Sequence, residues 1–104
     1  MADLPAGLVD EVMDRVVMPT LRQMAADGTP YRGFLYAGLA LTADGPKVIE
    51  FNCRLGDPET QAVLPLLETD LLAVLADAAA GRLDPTPLAF SDRAAVNVVL
   101  AAGG

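Results

Sequence analysis

The sequence predicts an α+β chain, and three observations carry that prediction. Apolar residues recur at helical spacing near the N-terminus, a β-branched and aromatic segment from Lys47 to Cys53 follows the turn signal Ala43-Asp44-Gly45-Pro46, and an alanine- and leucine-rich helical run lies between Thr69 and Gly81. The expected order is an N-terminal helix, an antiparallel β-hairpin, two helices and then a terminal strand.

The first helix rests on Leu8, Val9, Val12, Met13, Val16, Val17, Leu21 and Met24, which place one apolar stripe along a helix from about Pro5 to Ala26, stopped by Gly28. The methionines on this stripe are expected in core packing, and Pro19 is expected to bend or divide the helix. The hairpin is read from Phe34 to Thr42 and from Lys47 to Cys53. A helix beginning near Pro58 is interrupted by Pro65, and a second, capped by Thr69, runs from Asp70 to about Ala80. Pro85 and Pro87 mark the stretch from Gly81 to Asp92 as a connection, and the run from Ala94 to Ala101 reads as a buried strand.

Composition narrows the function. A net charge of -7 argues against nucleic acid or an anionic membrane as the main partner, since both demand clustered Lys and Arg. It leaves nucleotides open, because a local metal ion reverses the sign of one cleft. With no histidine, the chain has no side chain that titrates near neutrality unperturbed. The single cysteine, Cys53, excludes an internal disulfide and fits a reducing, cytoplasmic setting; its place on the apolar side of its strand points to a buried thiol. The apolar runs are too short and too often broken by charge or proline to cross a membrane, and no leader pattern is visible. A hydrophobic share of 53% in so acidic a chain points to apolar surface that meets other protein, so self-association of the isolated stretch is expected.

Chemistry concentrates between Glu50 and Gln61. Strand alternation puts Glu50, Asn52 and, if the extended conformation continues, Arg54 on one face, with alternate Cα atoms roughly 6.5 to 7 Å apart. A carboxylate beside an amide oxygen suits a hard cation such as Mg²⁺ that takes its remaining ligands from phosphates. An arginine one step on can meet a phosphate or carboxylate with its planar fork. A half-buried strand that merely shows polar residues to water produces the same spacing, which alone does not decide. Beyond it, Gly56 is expected to turn the backbone at positive φ, with Asp57 as helix N-cap and Pro58 at the first helical position, so that free amides form an anion site beside Glu50, Asn52 and Arg54. Asp57 and Glu59 stand at the rim of that cleft, where capping and favourable interaction with the helix dipole are alternative roles.

The run Val48-Ile49-Glu50-Phe51-Asn52-Cys53-Arg54-Leu55-Gly56-Asp57-Pro58-Glu59-Thr60-Gln61 closely resembles the signature of the phosphoribosylamine-glycine ligases (glycinamide ribonucleotide synthetases), ATP-grasp enzymes of purine biosynthesis. Pro30 to Leu39 resembles the strand that precedes it in the family, and Ala95 to Gly104 resembles the entry to a C-terminal domain. Leu55 departs from the phenylalanine often found there and stays apolar. The resemblance implies a partial ATP-grasp domain: residues 1–83 as the later part of that domain, 84–93 as a linker and 94–104 as the first strand of a truncated domain. It implies ligation of glycine to 5-phosphoribosylamine with ATP as co-substrate, through an acyl phosphate. Mg²⁺ or Mn²⁺ is then expected on Glu50 and Asn52, Arg54 as a catalytic group at the transferring phosphate or the acyl-phosphate intermediate, and Asp57 and Glu59 at the amine or ribosyl part of the substrate. Family members are several times longer, and no glycine-rich phosphate loop or cluster of cations is present in these 104 residues, so the stretch alone is expected to lack the ATP clamp and to be inactive. Two alternatives are another ATP-grasp ligase, which would share the Glu-x-Asn strand but not the Gly-Asp-Pro-Glu-Thr-Gln continuation, and a folded non-catalytic module.

Overall fold

A computed structural model describes residues 4–103. The chain divides into two compact units, one formed by the chain up to Tyr31 with Ala37–Asn52, the other by Arg32–Tyr36 with the chain from Cys53 onward.

The first unit begins with one continuous helical run of three segments: α1 (Leu8–Val12), a π-helical stretch (Met13–Val17) and α2 (Met18–Ala26). The run is continuous through Pro19, where a bend or division was expected, and the π stretch lies directly before it. Proline has no N–H to give to the carbonyl four residues back, and a locally widened helix accommodates that missing bond. The Thr20 hydroxyl donates to the Val16 carbonyl at 2.7 Å, supplying a side-chain bond in the same turn. The run stops as expected at Gly28, whose φ of 80° lets Thr29 N reach Met24 O at 2.9 Å and Gly28 N reach Ala25 O at 3.1 Å, a Schellman closure. Val16 is buried in this run; Met18 and Met24 are half-buried and Met13 is exposed, so the methionine stripe is only partly packed.

Strands β1 (Tyr36–Thr42) and β2 (Gly45–Asn52) form a two-stranded hairpin around Ala43-Asp44. Thr42 holds the turn from both sides: its hydroxyl donates to Gly45 O at 2.9 Å and accepts from Asp44 N at 3.2 Å. Gly45 is required twice over. Its φ is 93°, and a Cβ there would lie 2.8 Å from Arg15 Nη1 and 3.1 Å from Glu11 Oε1, since the Glu11–Arg15 ion pair of the first helix rests against this turn.

Phe51 and Cys53, expected in apolar packing, are exposed, as are Val48 and Ile49. A two-stranded ribbon buries neither face by itself and needs a second layer to do so. The buried thiol inferred for Cys53 is corrected accordingly.

In the second unit the two-helix expectation holds. Helix α3 (Glu59–Val63) passes into a 3₁₀ turn (Leu64–Leu66) that contains Pro65, and α4 (Leu71–Ala80) follows. The cap of α4 is Asp70 and not Thr69: Asp70 Oδ1 accepts from Leu72 N at 2.9 Å and Ala73 N at 3.2 Å. Thr69 is engaged elsewhere, its Oγ1 accepting from Ala89 N at 2.7 Å. That bond belongs to a set that pins the proline-containing stretch alongside 66–69, with Glu68 N donating to Ala89 O at 2.9 Å, Ser91 N to Leu66 O at 2.8 Å, and a β-bridge between Leu67 and Phe90.

Helix α4 ends on Gly81 at φ 70°, closed by Arg82 N to Asp77 O at 2.9 Å, the same Schellman pattern as α2. The Arg32 guanidinium lies against this end, 2.6 Å from where a Gly81 Cβ would stand, so a cation meets the negative pole of the helix. Arg32, Phe34, Val74, Leu75, Ala78 and Leu83 line a largely apolar cavity of 290 Å³.

The terminal strand expected over 94–101 is not formed. Residues 94–103 have no regular structure, and Val96, Val98, Val99 and Leu100 are exposed. A strand is defined by a ladder with a neighbour, and among the described residues none pairs with this stretch. Gly104 lies outside the described residues. No helix among the described residues is long and apolar enough to cross a membrane.

Candidate functional site

Glu50 and Asn52 are the last two outward positions on one face of β2, and the structure brings them together: Asn52 Nδ2 donates to Glu50 Oε1 at 3.0 Å. Strand alternation produces the pairing, as i and i+2 share a face. Glu50 is exposed and Asn52 half-buried, so the carboxylate is open to a ligand while its neighbour is partly held by the strand. The donor set, one carboxylate and one amide, offers oxygen ligands to a hard divalent ion. It is not a complete cage: no group of three or more His, Cys, Asp or Glu suited to a metal occurs among the described residues. An ion here would need phosphate or water oxygens to finish its shell, the usual situation of Mg²⁺ in nucleotide enzymes.

Arg54, Asp57 and Glu59 belong to the second unit. The strand stops at Asn52 and the chain bends at Cys53 and Arg54, so the expectation that Arg54 continues the strand face is corrected. Its guanidinium is exposed and donates through Nη1 to Leu55 O at 3.2 Å.

The turn that follows is built differently from the expectation. Gly56 is not among the glycines with positive φ; it is buried, and its need is for space. A Cβ at Gly56 would stand 2.5 Å from Glu59 Oε2, 3.1 Å from Glu59 Cδ and 3.1 Å from Tyr36 Cε2. The Gly56 carbonyl accepts from both Thr60 N, at 3.2 Å, and the Thr60 hydroxyl.

Asp57 is not the cap of α3. Pro58 occupies that position without a side-chain bond, and Asp57 Oδ1 accepts instead from Gln61 Nε2 at 2.7 Å. With five residues, α3 has a small dipole, and the amide of Thr60 is spent on Gly56, so it is not one of the free amides expected at this helix start. The Asp57–Pro58 peptide is cis.

Tyr36 escaped the sequence reading. It stands twenty residues before Gly56 in a strand of apolar neighbours, and no local spacing links the two. Asp84 is held below its ordinary value of 3.8 by the Thr86 hydroxyl at 2.6 Å and then by the Thr86 N–H at 2.7 Å.

Comparison with known proteins gives these residues a family. The family described as phosphoribosylglycinamide synthetase, ATP-grasp (A) domain, matches residues 2–60, more than half of the chain and all five candidate positions. The chain belongs to the phosphoribosylglycinamide synthetase ATP-grasp family.

Among curated relatives, the phosphoribosylamine-glycine ligase of Streptomyces coelicolor is 57% identical over 95 residues, which is 90% of this chain and 23% of that protein. The ligase of Leifsonia xyli is 56% identical over 99 residues, 94% of this chain and 24% of its own length, and that of Vibrio cholerae 53% over 96 residues, 91% and 22%. The chain thus spans between a fifth and a quarter of the length of these phosphoribosylglycinamide synthetase relatives.

Proposed function

We propose that this chain forms the metal- and acyl-phosphate-facing part of an ATP-dependent ligase that joins glycine to 5-phosphoribosylamine, giving glycinamide ribonucleotide, ADP and phosphate. The observation that carries the reading is the Glu50–Asn52 pair, a carboxylate and an amide in contact at the exposed end of a strand in a chain of the phosphoribosylglycinamide synthetase family. The names of the relatives support the substrates.

Glu50 and Asn52 would hold Mg²⁺ or Mn²⁺. When bound, such an ion supplies charge neutralisation and a template for phosphate oxygens. Arg54, on a bend with its guanidinium exposed, would meet the transferring phosphate or the acyl phosphate. In the proposed sequence, a glycine carboxylate oxygen takes the terminal phosphoryl group of ATP and ADP leaves. The amine of phosphoribosylamine then forms a bond to the acyl carbon, the bond from that carbon to the phosphate oxygen breaks, and phosphate departs with the proton that the amine nitrogen gives up. Asp57 and Glu59 would orient the amine or the ribosyl part.

The groups that clamp ATP are assigned to polypeptide beyond these residues, so the 104-residue stretch alone is expected to be inactive and to self-associate through its exposed apolar side chains. The division into an ATP-grasp part, a linker over 84–93 and the start of a further domain belongs to the same reading, as does a cytoplasmic location.

Glu50→Ala in the complete polypeptide tests the metal assignment. Ligation should fall by orders of magnitude with an unchanged circular dichroism spectrum; near-normal turnover at limiting Mg²⁺ would remove Glu50 and Asn52 from the site.

A further inference from the structure

The turn after β2 holds a close arrangement that neither the family match nor the relatives assign. Three groups converge on Gly56: the Glu59 carboxylate, at 2.5 Å from the place of an absent Cβ, the ring edge of Tyr36, at 3.1 Å, and Thr60, which binds the Gly56 carbonyl through both its amide and its hydroxyl. Gly56 itself is buried, although Asp57, Pro58 and Glu59 around it are exposed. The missing side chain thus leaves a notch, and the carboxylate of Glu59, itself an exposed residue, is folded back over it. Nothing in backbone conformation demands glycine here, because φ is not positive. What the position demands is room for a carboxylate beside an aromatic ring.

We propose that Gly56 and Tyr36 are positioning residues that hold the Glu59 carboxylate ready for the primary amine of the substrate. The inference rests on the ligase reading above and gives Glu59 the amine in preference to the ribosyl part. A carboxylate attracts the N–H groups of an amine, and the neighbouring ring shields one side of that carboxylate from water. Fixing the carboxylate before the amine arrives removes an ordering cost from binding. Gly56 acts through Glu59, and the Thr60 bonds fix the peptide that forms the floor of the notch.

The test uses the complete polypeptide and four variants: Glu59→Gln, Gly56→Ala, Tyr36→Leu and the double variant Gly56→Ala/Glu59→Gln. Initial rates are measured against phosphoribosylamine, glycine and ATP separately. Glu59→Gln and Gly56→Ala should each raise KM for the amine by about tenfold while leaving KM for ATP unchanged, as expected for displacement of an orienting group. The double variant should be no worse than Glu59→Gln alone, because two residues acting through one carboxylate are not additive. Tyr36→Leu should raise the same KM by less.

Additive losses, or a Gly56→Ala enzyme whose amine KM is normal while that of Glu59→Gln is raised, would overturn the positioning role. A normal amine KM in Glu59→Gln would overturn the assignment of Glu59 to the amine. If Gly56→Ala does not fold, Tyr36→Leu decides by crystal structure: a Glu59 carboxylate that stays over Gly56 without the ring counts against the proposal, and one that swings away supports it. Absence of ligation by the unaltered polypeptide would be a failure of the ligase reading instead, and the same crystal comparison would still decide whether the ring holds the carboxylate.

Discussion

Helix α4 and the stretch 94–103 lie in the same unit and are comparably apolar, one reading Leu-Leu-Ala-Val-Leu-Ala-Asp-Ala-Ala-Ala and the other Ala-Ala-Val-Asn-Val-Val-Leu-Ala-Ala-Gly. Only the first has regular structure. The difference lies in where the backbone finds its partners. A helix satisfies its N–H and C=O groups within the segment, and α4 also has an Asp70 cap at one end and Gly81 at the other. A strand finds them only on a neighbour, so strong β-propensity in Val96, Val98 and Val99 leads to no ladder where no edge is presented. Apolar content is therefore a poor guide to order in this chain; locality of hydrogen bonding is the better one.

Proline substitution gives the sharpest way to break that comparison. Leu75→Pro removes a bond from the middle of α4 and should cost ~3 kcal/mol or more, seen as loss of helical circular dichroism. Val98→Pro removes no ladder bond and should leave stability within about 0.5 kcal/mol. Equal costs at the two sites would mean that 94–103 is paired in solution. A smaller effect tests the cap: Asp70→Ala leaves Leu72 N and Ala73 N without their acceptor and should lower the opening free energy of α4 by about 1 kcal/mol. Amide hydrogen exchange in its first turns would then quicken about fivefold. Unchanged exchange would transfer the cap to another group.

The same distinction accounts for how much of the molecule was legible in its sequence. The first helix, its stop at Gly28, the hairpin, the break at Pro65 and the end of α4 at Gly81 were readable because each depends on residues within a few positions. So was the contact of Glu50 with Asn52, a consequence of strand alternation alone. Several of the readings that failed needed a partner remote in sequence, whereas the Asp57 cap failed locally, its Oδ1 being taken up by Gln61 four residues on. Phe51 and Cys53 required a covering layer, 94–101 required an edge, and Thr69, eligible as a cap, is drawn to Ala89 twenty residues away. Gly56 is kept for space and not for φ, a difference that sequence does not display, and the Tyr36 that helps to fill that space is remote.

The smallest effect belongs to Asp84, a local motif inside the otherwise irregular stretch that runs beside 66–69. Its carboxylate accepts two bonds from Thr86, both of which favour the charged form, so its folded pKa lies below the ordinary 3.8 while burial works only weakly against them. A carboxyl lowered on folding contributes stability above its unfolded value and loses it as pH falls through the folded one, which confines the effect to strongly acidic solution, below 3.8. Thr86→Ala removes the larger of the two causes and keeps the backbone donor; the carboxyl titration, followed by its ¹³C signal, should move up toward 3.8, and Thr86→Ser should leave it in place. Because the group is fully exposed, thermal stability near neutrality should not change in either variant. A Thr86→Ala protein whose Asp84 titrates as before would mean that the hydroxyl bond is not formed in solution.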